Sequence, residues 1–180
     1  FDPERRIGTV TQVLPDAEFV NLDAVTQRTG RLLSGKPLRG GQVGEVQDAA
    51  EAREVVKWAK FAPQGQRGID SAGPDNPYCM MPLTEYLPAA NAETFVVIQI
   101  EDPAAIVHAD EMAAVPGVDV LFLGPADFSV LSGIPGQFNH PTLVLAMERI
   151  AKAARRAGKH WGMPVFNPEH GKQLLELGAR

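Results

Sequence analysis

Phe95-Val96-Val97-Ile98-Gln99-Ile100-Glu101 is the stretch on which the fold turns. β-Branched, aromatic and other apolar side chains fill it almost without a break. Such a run predicts a strand buried on both faces, as in a parallel sheet covered by helices. Val118-Asp119-Val120-Leu121-Phe122-Leu123 repeats the pattern, and Pro103 to Ala114 between them predicts a helix. Downstream, Pro125 to Leu131 reads as a turn and a short helical start. Pro141 to Ala157 reads as an amphipathic helix closed by Gly158. His160 to Val165 predicts a third short strand and Pro168 to Leu177 a further helix.

Upstream the signal thins. Residues 83–91 fit a helix interrupted near Pro88, and 64–82 a long polar loop. Ala49 to Phe61 predicts a helix with Asp48 as its N-cap and Ala52, Val55, Val56 and Ala59 as its apolar face. Val43 to Val46 and Phe19 to Asp23 fit short strands, and the basic, glycine-rich 28–41 fits a loop. Strands alternating with helices at this spacing predict right-handed βαβ units. An open doubly wound sheet and a TIM-type barrel both fit locally. No G-x-G-x-x-G follows a strand, which weakens a dinucleotide site. A complete barrel takes about 250 residues, and this chain has 180.

Composition excludes some partners. Hydrophobic residues make up 44% and charged residues 22%, as in an ordinary globular domain. The formal net charge of −5 argues against nucleic acid. One cysteine, Cys79, allows no intrachain disulfide. No apolar run approaches the roughly 20 residues of a membrane span. The expectation is a soluble, cytoplasmic protein with a small-molecule substrate.

Two acids follow the apolar strands directly: Glu101 after Gln99-Ile100, and Asp127 after Gly124-Pro125-Ala126. Parallel α/β folds bind ligands at the carboxyl ends of their strands. Neighbouring strands lie about 4.8 Å apart, and two carboxylates that close repel unless a cation sits between them. Oxygen ligands suit Mg²⁺ or Mn²⁺. Gln99 faces the same way as Glu101, where it can hold a metal-bound water or a substrate oxygen. The small residues at Gly124 and Ala126 let backbone approach a ligand, and the N–H groups of Ala126 and Asp127 can meet a carboxylate. Metal and anion pocket together would chelate a 2-oxo acid and stabilise its enolate. The plainer alternative is that both acids cap the helices that follow.

From about Val43 to Arg180 the chain resembles the HpcH/HpaI aldolase/citrate lyase family. The resemblance rests on VQDAAEAREVV, the P-x-G-x-R-G of Pro63 to Gly68, VVIQIED, AAVPGVDVLFLGPADFS, His140-Pro141 and AARRAGKHWG. It implies one domain over 1–180, with 1–42 matched poorly and 43–180 well. It implies a TIM-type (β/α)8 barrel, incomplete in its early part and its last strand. It implies Glu101 and Asp127 as ligands of a divalent metal (Mg²⁺, Mn²⁺ or Co²⁺), and Gln99, Gly124, Ala126 and Asp127 as contacts of the pyruvate unit. The implied activity is cleavage of 4-hydroxy-2-oxo acids to pyruvate and an aldehyde, by a homo-oligomer, a hexamer among the options. The other readings are an oxaloacetate-type decarboxylase or lyase, and a non-catalytic remnant retaining oligomer contacts. The family has D-x-E-H after its second strand. Here Asp23 fits the acid, but Val25 and Thr26 stand where Glu and His belong, so no base is assigned. No position matches the family's enolate-stabilising arginine either.

Other residues read as structural first. Arg67 suits a loop brace or a substrate carboxylate. His140 reads as a helix-start residue, and His160 as lying at the far end from the site. No two of the four histidines have metal-ligand spacing on one face. No lysine sits at a strand end within an apolar run, which disfavours Schiff-base chemistry. Cys79 reads as a small hydrophobe, Trp58 and Trp161 as core or interface residues, and Tyr78 to Met81 as a subunit contact.

Overall fold

A computed structural model describes residues 44–69, 78 and 80–180, and the backbone alone of 19–21 and 40–43. The expectations for Cys79, Asp23, Val25 and Thr26, and for most of 28–41, lie outside the described residues. The chain divides into two compact units, 1–43 with 53–96 and 44–52 with 97–180.

In the first unit, strand β1 (Phe19–Asn21) pairs in parallel with β2 (Gly40–Val43). Strand structure thus precedes the expected Val43–Val46, where Glu45 takes a positive φ of 57° and breaks the extended run. Helix α1 (Ala49–Ala59), whose residues to Ala52 belong to the second unit and the rest to the first, buries the predicted Ala52, Val55, Val56 and Ala59. Its start is capped as read: Asp48 Oδ1 accepts from the N–H groups of Ala50 (2.7 Å) and Glu51 (2.9 Å). Helix α2 (Leu83–Glu93) runs through Pro88 without the expected interruption. Pro88 and Thr84 are both exposed, so the carbonyl deprived of its partner faces water.

β3 (Phe95–Ile100), which belongs to the second unit from Val97 on, pairs in parallel with β4 (Val120–Leu123), and β4 in parallel with β5 (His160–Gly162). Val96, Val97, Ile98 and Ile100 are at most 4% exposed, the two-sided burial that an unbroken apolar run predicts. The expected 103–114 helix is a 3₁₀ turn (Ala105–His108) followed by α3 (Ala109–Ala113). β4 starts two residues later than the pattern suggests, because Pro116-Gly117, with Gly117 at φ 90°, make a turn first. β5 ends at Gly162 because Pro164 offers no N–H to a ladder.

Helix α4 (Pro125–Leu131) follows β4 after one residue, and α5 (Pro141–Ala157) packs on α3, β4 and β5. Its stripe of Leu143, Ala146, Met147, Ile150, Ala151 and Ala154 is buried, as 3.6-residue spacing requires. Gly158 closes it at φ 67°. Helix α6 (Pro168–Glu176) completes the unit. Past it, the Arg180 N–H donates to the Trp161 carbonyl (3.1 Å), which lays the chain alongside β5. Trp161 is core, 2% exposed, and its indole N–H donates to the Leu177 carbonyl. Among the described residues no helix is long and apolar enough to cross a membrane.

Candidate metal and 2-oxo acid site

The carboxyl ends of β3 and β4 build the site within the second unit. Ile100 pairs in register with Leu123, and the Gly124 N–H continues the ladder onto the Ile100 carbonyl at 3.0 Å. Glu101 and Gly124 therefore leave their strands side by side.

Glu101 is buried, 5% exposed. A carboxylate withdrawn from water needs partners for its charge. Its Oε1 accepts the Glu45 N–H at 2.7 Å, and its Oε2 accepts from the side-chain amide of Gln99. Both carboxylate oxygens thus accept a bond from a fixed donor, which holds the plane of the group in place. The alternating pleat puts Gln99 and Glu101 on one face, as read from the sequence.

Gly124 explains itself by space. A Cβ built there would stand 2.7 Å from Glu101 Oε2, 2.8 Å from Glu101 Cβ and 3.1 Å from Gln99 Nε2. Its φ of −86° is open to any residue, so the glycine serves close approach and not backbone freedom. Ala126 and Asp127 stand in the first turn of α4, both exposed. Gln99, Glu101 and Gly124 thus meet directly, and Asp127 follows three residues beyond the glycine. A hard divalent cation commonly takes one or two carboxylates and keeps several waters or substrate oxygens. Among the described residues, no group of three or more His, Cys, Asp or Glu is placed to hold a metal.

The remaining candidates lie elsewhere. His160 pairs in register with Val120, the first residue of β4. Four residues of strand, roughly 13 Å, separate that end from Gly124. His140 Nδ1 accepts from the Thr142 N–H (3.2 Å) and starts α5, as expected. His170 Nδ1 accepts from the Phe166 N–H (3.3 Å). His108 pairs with Glu111. In the first unit the Arg67 guanidinium lies 4.5 Å over the Phe61 ring, the bracing alternative.

Three features gave no sequence signal. Glu45 contributes a backbone N–H from a left-handed conformation that no glycine announces. Lys60 is buried in the first unit, although a lysine at a helix end reads as solvated. Ser129, 1% exposed, is bonded on two sides; a serine one turn into a short helix looks neutral.

Fold and site define a parallel α/β protein with a buried carboxylate, Glu101, at the end of β3 and a second acid, Asp127, in the first turn of the helix that follows β4. The HpcH/HpaI aldolase/citrate lyase family model matches residues 38–180, and the chain belongs to that family. It is 38% identical over 135 residues to the 4-hydroxy-2-oxo-heptane-1,7-dioate aldolase of Shigella sonnei, covering 74% of this chain and 51% of the relative. It is 33% identical over 135 residues to the hydroxypyruvate/pyruvate aldolase of Delftia acidovorans, covering 75% and 50%. The crystal structure of an HpcH/HpaI aldolase from Desulfitobacterium hafniense superposes with a TM-score of 0.73 at 32% identity, covering 78% of this chain and 54% of that one. The chain spans about half the length of the curated relatives it matches.

Proposed function

We propose that this chain carries the pyruvate-handling site of a divalent-metal-dependent aldolase that cleaves 4-hydroxy-2-oxo acids to pyruvate and an aldehyde. The observation that carries the reading is the buried Glu101 carboxylate at the end of β3, with Gly124 pressed against it and Asp127 in the next turn. In this reading 1–180 forms one domain of a TIM-type (β/α)8 barrel. The β3–α3–β4–α5–β5 succession and the return of Arg180 beside β5 support that. A cytoplasmic homo-oligomer, up to a hexamer, belongs to the same reading.

Glu101 and Asp127 would hold the cation, Mg²⁺, Mn²⁺ or Co²⁺. When bound, it supplies Lewis-acid stabilisation of the charge that develops on the keto oxygen. The Glu45 N–H and the Gln99 amide fix the Glu101 carboxylate before substrate arrives, so no reorganisation is spent during the reaction. Gln99 also presents its amide to the pyruvate oxygens. Gly124 and Ala126, without bulky side chains, let the 2-oxo acid lie close to backbone, and the turn at Ala126 and Asp127 receives its carboxylate. Cleavage breaks the C3–C4 bond: the C4 hydroxyl loses its proton to a base and becomes the aldehyde, and C3 regains a proton to give pyruvate. None of the described residues is assigned that base.

The test is exchange of the pyruvate methyl protons in D₂O, followed by NMR with and without Mg²⁺, Mn²⁺ or Co²⁺. Metal-dependent deuteration is expected, with Mn²⁺ binding lost in Glu101→Gln by more than about a hundredfold, beyond the loss typical of a supporting residue. A chain that binds none of the three metals and exchanges no protons overturns the proposal.

A further inference from the structure

Helix α4 has only seven residues. Two turns of helix do not hold themselves in water, yet the first of them carries Asp127. Its fixed point is on the inner side. Phe128 is 2% exposed and Ser129 1%. The Ser129 hydroxyl donates to the Ala126 carbonyl at 2.7 Å and accepts the Gly136 N–H at 3.0 Å. The Ser129 carbonyl in turn accepts the Ile134 N–H at 2.9 Å.

The first of these bonds is local, and serines in helices make such bonds often. The second is not: it spans seven residues and fastens the turn before Asp127 to the glycine loop that leads into α5. That loop is shaped by Gly133 and Gly136, both at φ 72°. One hydroxyl thus joins the backbone of the Asp127 turn to the next loop on the same side of the sheet.

We infer that Ser129 is a positioning residue, a strut that sets the Asp127 turn for metal binding through its bonds to Ala126 and Gly136. The inference rests on the metal site proposed above. Ser129 touches neither metal nor substrate in this role; it restricts where the Asp127 carboxylate can point. Residues that orient a ligand from behind typically change metal affinity ten- to a hundredfold when lost.

The experiment measures Mn²⁺ affinity by titration calorimetry for the wild-type chain, Ser129→Ala and Ser129→Thr, beside thermal unfolding of each without metal. Ser129→Ala is expected to bind Mn²⁺ roughly tenfold more weakly, and Ser129→Thr, which keeps the hydroxyl, to recover most of the loss. A merely structural serine would lower the unfolding midpoint without that pattern. Hydrogen exchange in the wild-type chain gives a readout that needs no variant: Mn²⁺ is expected to slow exchange of the Gly136 amide. Ser129→Ala binding Mn²⁺ within twofold of wild type, or a Gly136 amide indifferent to Mn²⁺, overturns the strut and leaves the metal site standing. A wild-type chain that binds none of Mg²⁺, Mn²⁺ and Co²⁺ and exchanges no pyruvate protons overturns the functional reading and the strut with it; one that binds Mg²⁺ or Co²⁺ in place of Mn²⁺ is put to the same test with that metal.

Discussion

Among the described residues, Lys60 in the first unit and Glu101 in the second are charged side chains buried almost completely, and the two are handled in opposite ways. Lys60, in the first unit, is 5% exposed. Its ammonium donates to the Asn91 carbonyl at 2.8 Å and to the Thr94 carbonyl. These lie at the carboxyl end of α2, where a helix dipole favours a cation. Asn91 closes the knot through its side chain, accepting the Phe61 N–H (2.8 Å) and donating to the Phe61 carbonyl (2.9 Å). Glu101, in the second unit, is equally buried, but its donors hold it at a strand end against a residue without a Cβ. Burial of charge therefore does not mark a functional site. Lys60 is spent on backbone acceptors within its own unit; Glu101 is pressed against a glycine at the mouth of the strand ends.

The comparison breaks most visibly at Lys60. Lys60→Met keeps the apolar stem and removes the donor, leaving buried carbonyls at Asn91 and Thr94 without it. Each such group costs about 1–3 kcal/mol, so a loss of about 3 kcal/mol is expected, read as a drop in the unfolding midpoint on the order of 10 °C. Glu101→Gln, nearly the same size, is expected to change stability by about 1 kcal/mol or less while abolishing Mn²⁺ binding. Two urea titrations decide it. If Glu101→Gln unfolds as easily as Lys60→Met, the acid is structural and the contrast is lost.

Gly124→Ala tests that close approach. The added methyl would meet Glu101 Oε2 at 2.7 Å and Glu101 Cβ at 2.8 Å, and a Cβ cannot swing away as the end of a side chain can. Overpacking of this kind costs about 1–3 kcal/mol, and displacement of Glu101 is expected to weaken Mn²⁺ binding. Unchanged affinity would mean that the glycine serves the fold alone. Much of this was legible in the sequence. The apolar runs at 95–100 and 118–123 placed two parallel strands, and the acids directly after them placed Glu101 and Asp127 at their ends. Gln99 followed from the pleat. What stayed hidden depends on contacts between distant residues: Lys60 reaches carbonyls more than thirty positions away, and Glu45 reaches Glu101 across 56. Strand ends were misjudged where a turn intervened, as at Gly117 and Pro164.

Glu45 sharpens the comparison from the backbone. Its N–H bonds Glu101 from a φ of 57°, a conformation that costs a side-chain-bearing residue on the order of 1 kcal/mol or more. Glu45→Gly keeps the N–H and removes the steric strain, while freeing the unfolded chain. The two effects oppose each other, so stability is expected to move by less than about 1 kcal/mol and Mn²⁺ affinity to stay the same. A large fall in affinity would show that the Glu45 side chain, and not its N–H, serves the site.

The smallest effect is expected three residues before Lys60. Lys57 donates to both Glu54 carboxylate oxygens at 2.9 and 2.8 Å, and Trp58 donates to one of them at 3.2 Å. The bond from Lys57, above all, holds the Glu54 carboxyl below its ordinary range. A carboxylate depressed in this way stabilises the folded chain above its unfolded pKa, and that contribution disappears as pH falls through the folded value. Glu54 is fully exposed, however, and water and salt screen such pairs until little is left. Glu54→Gln is therefore expected to melt with the wild type at pH 7, and any slight deficit is expected to vanish on acidification. A deficit approaching that of Lys60→Met would show that the exposed pair carries what has been assigned to the buried lysine on the same end of α1.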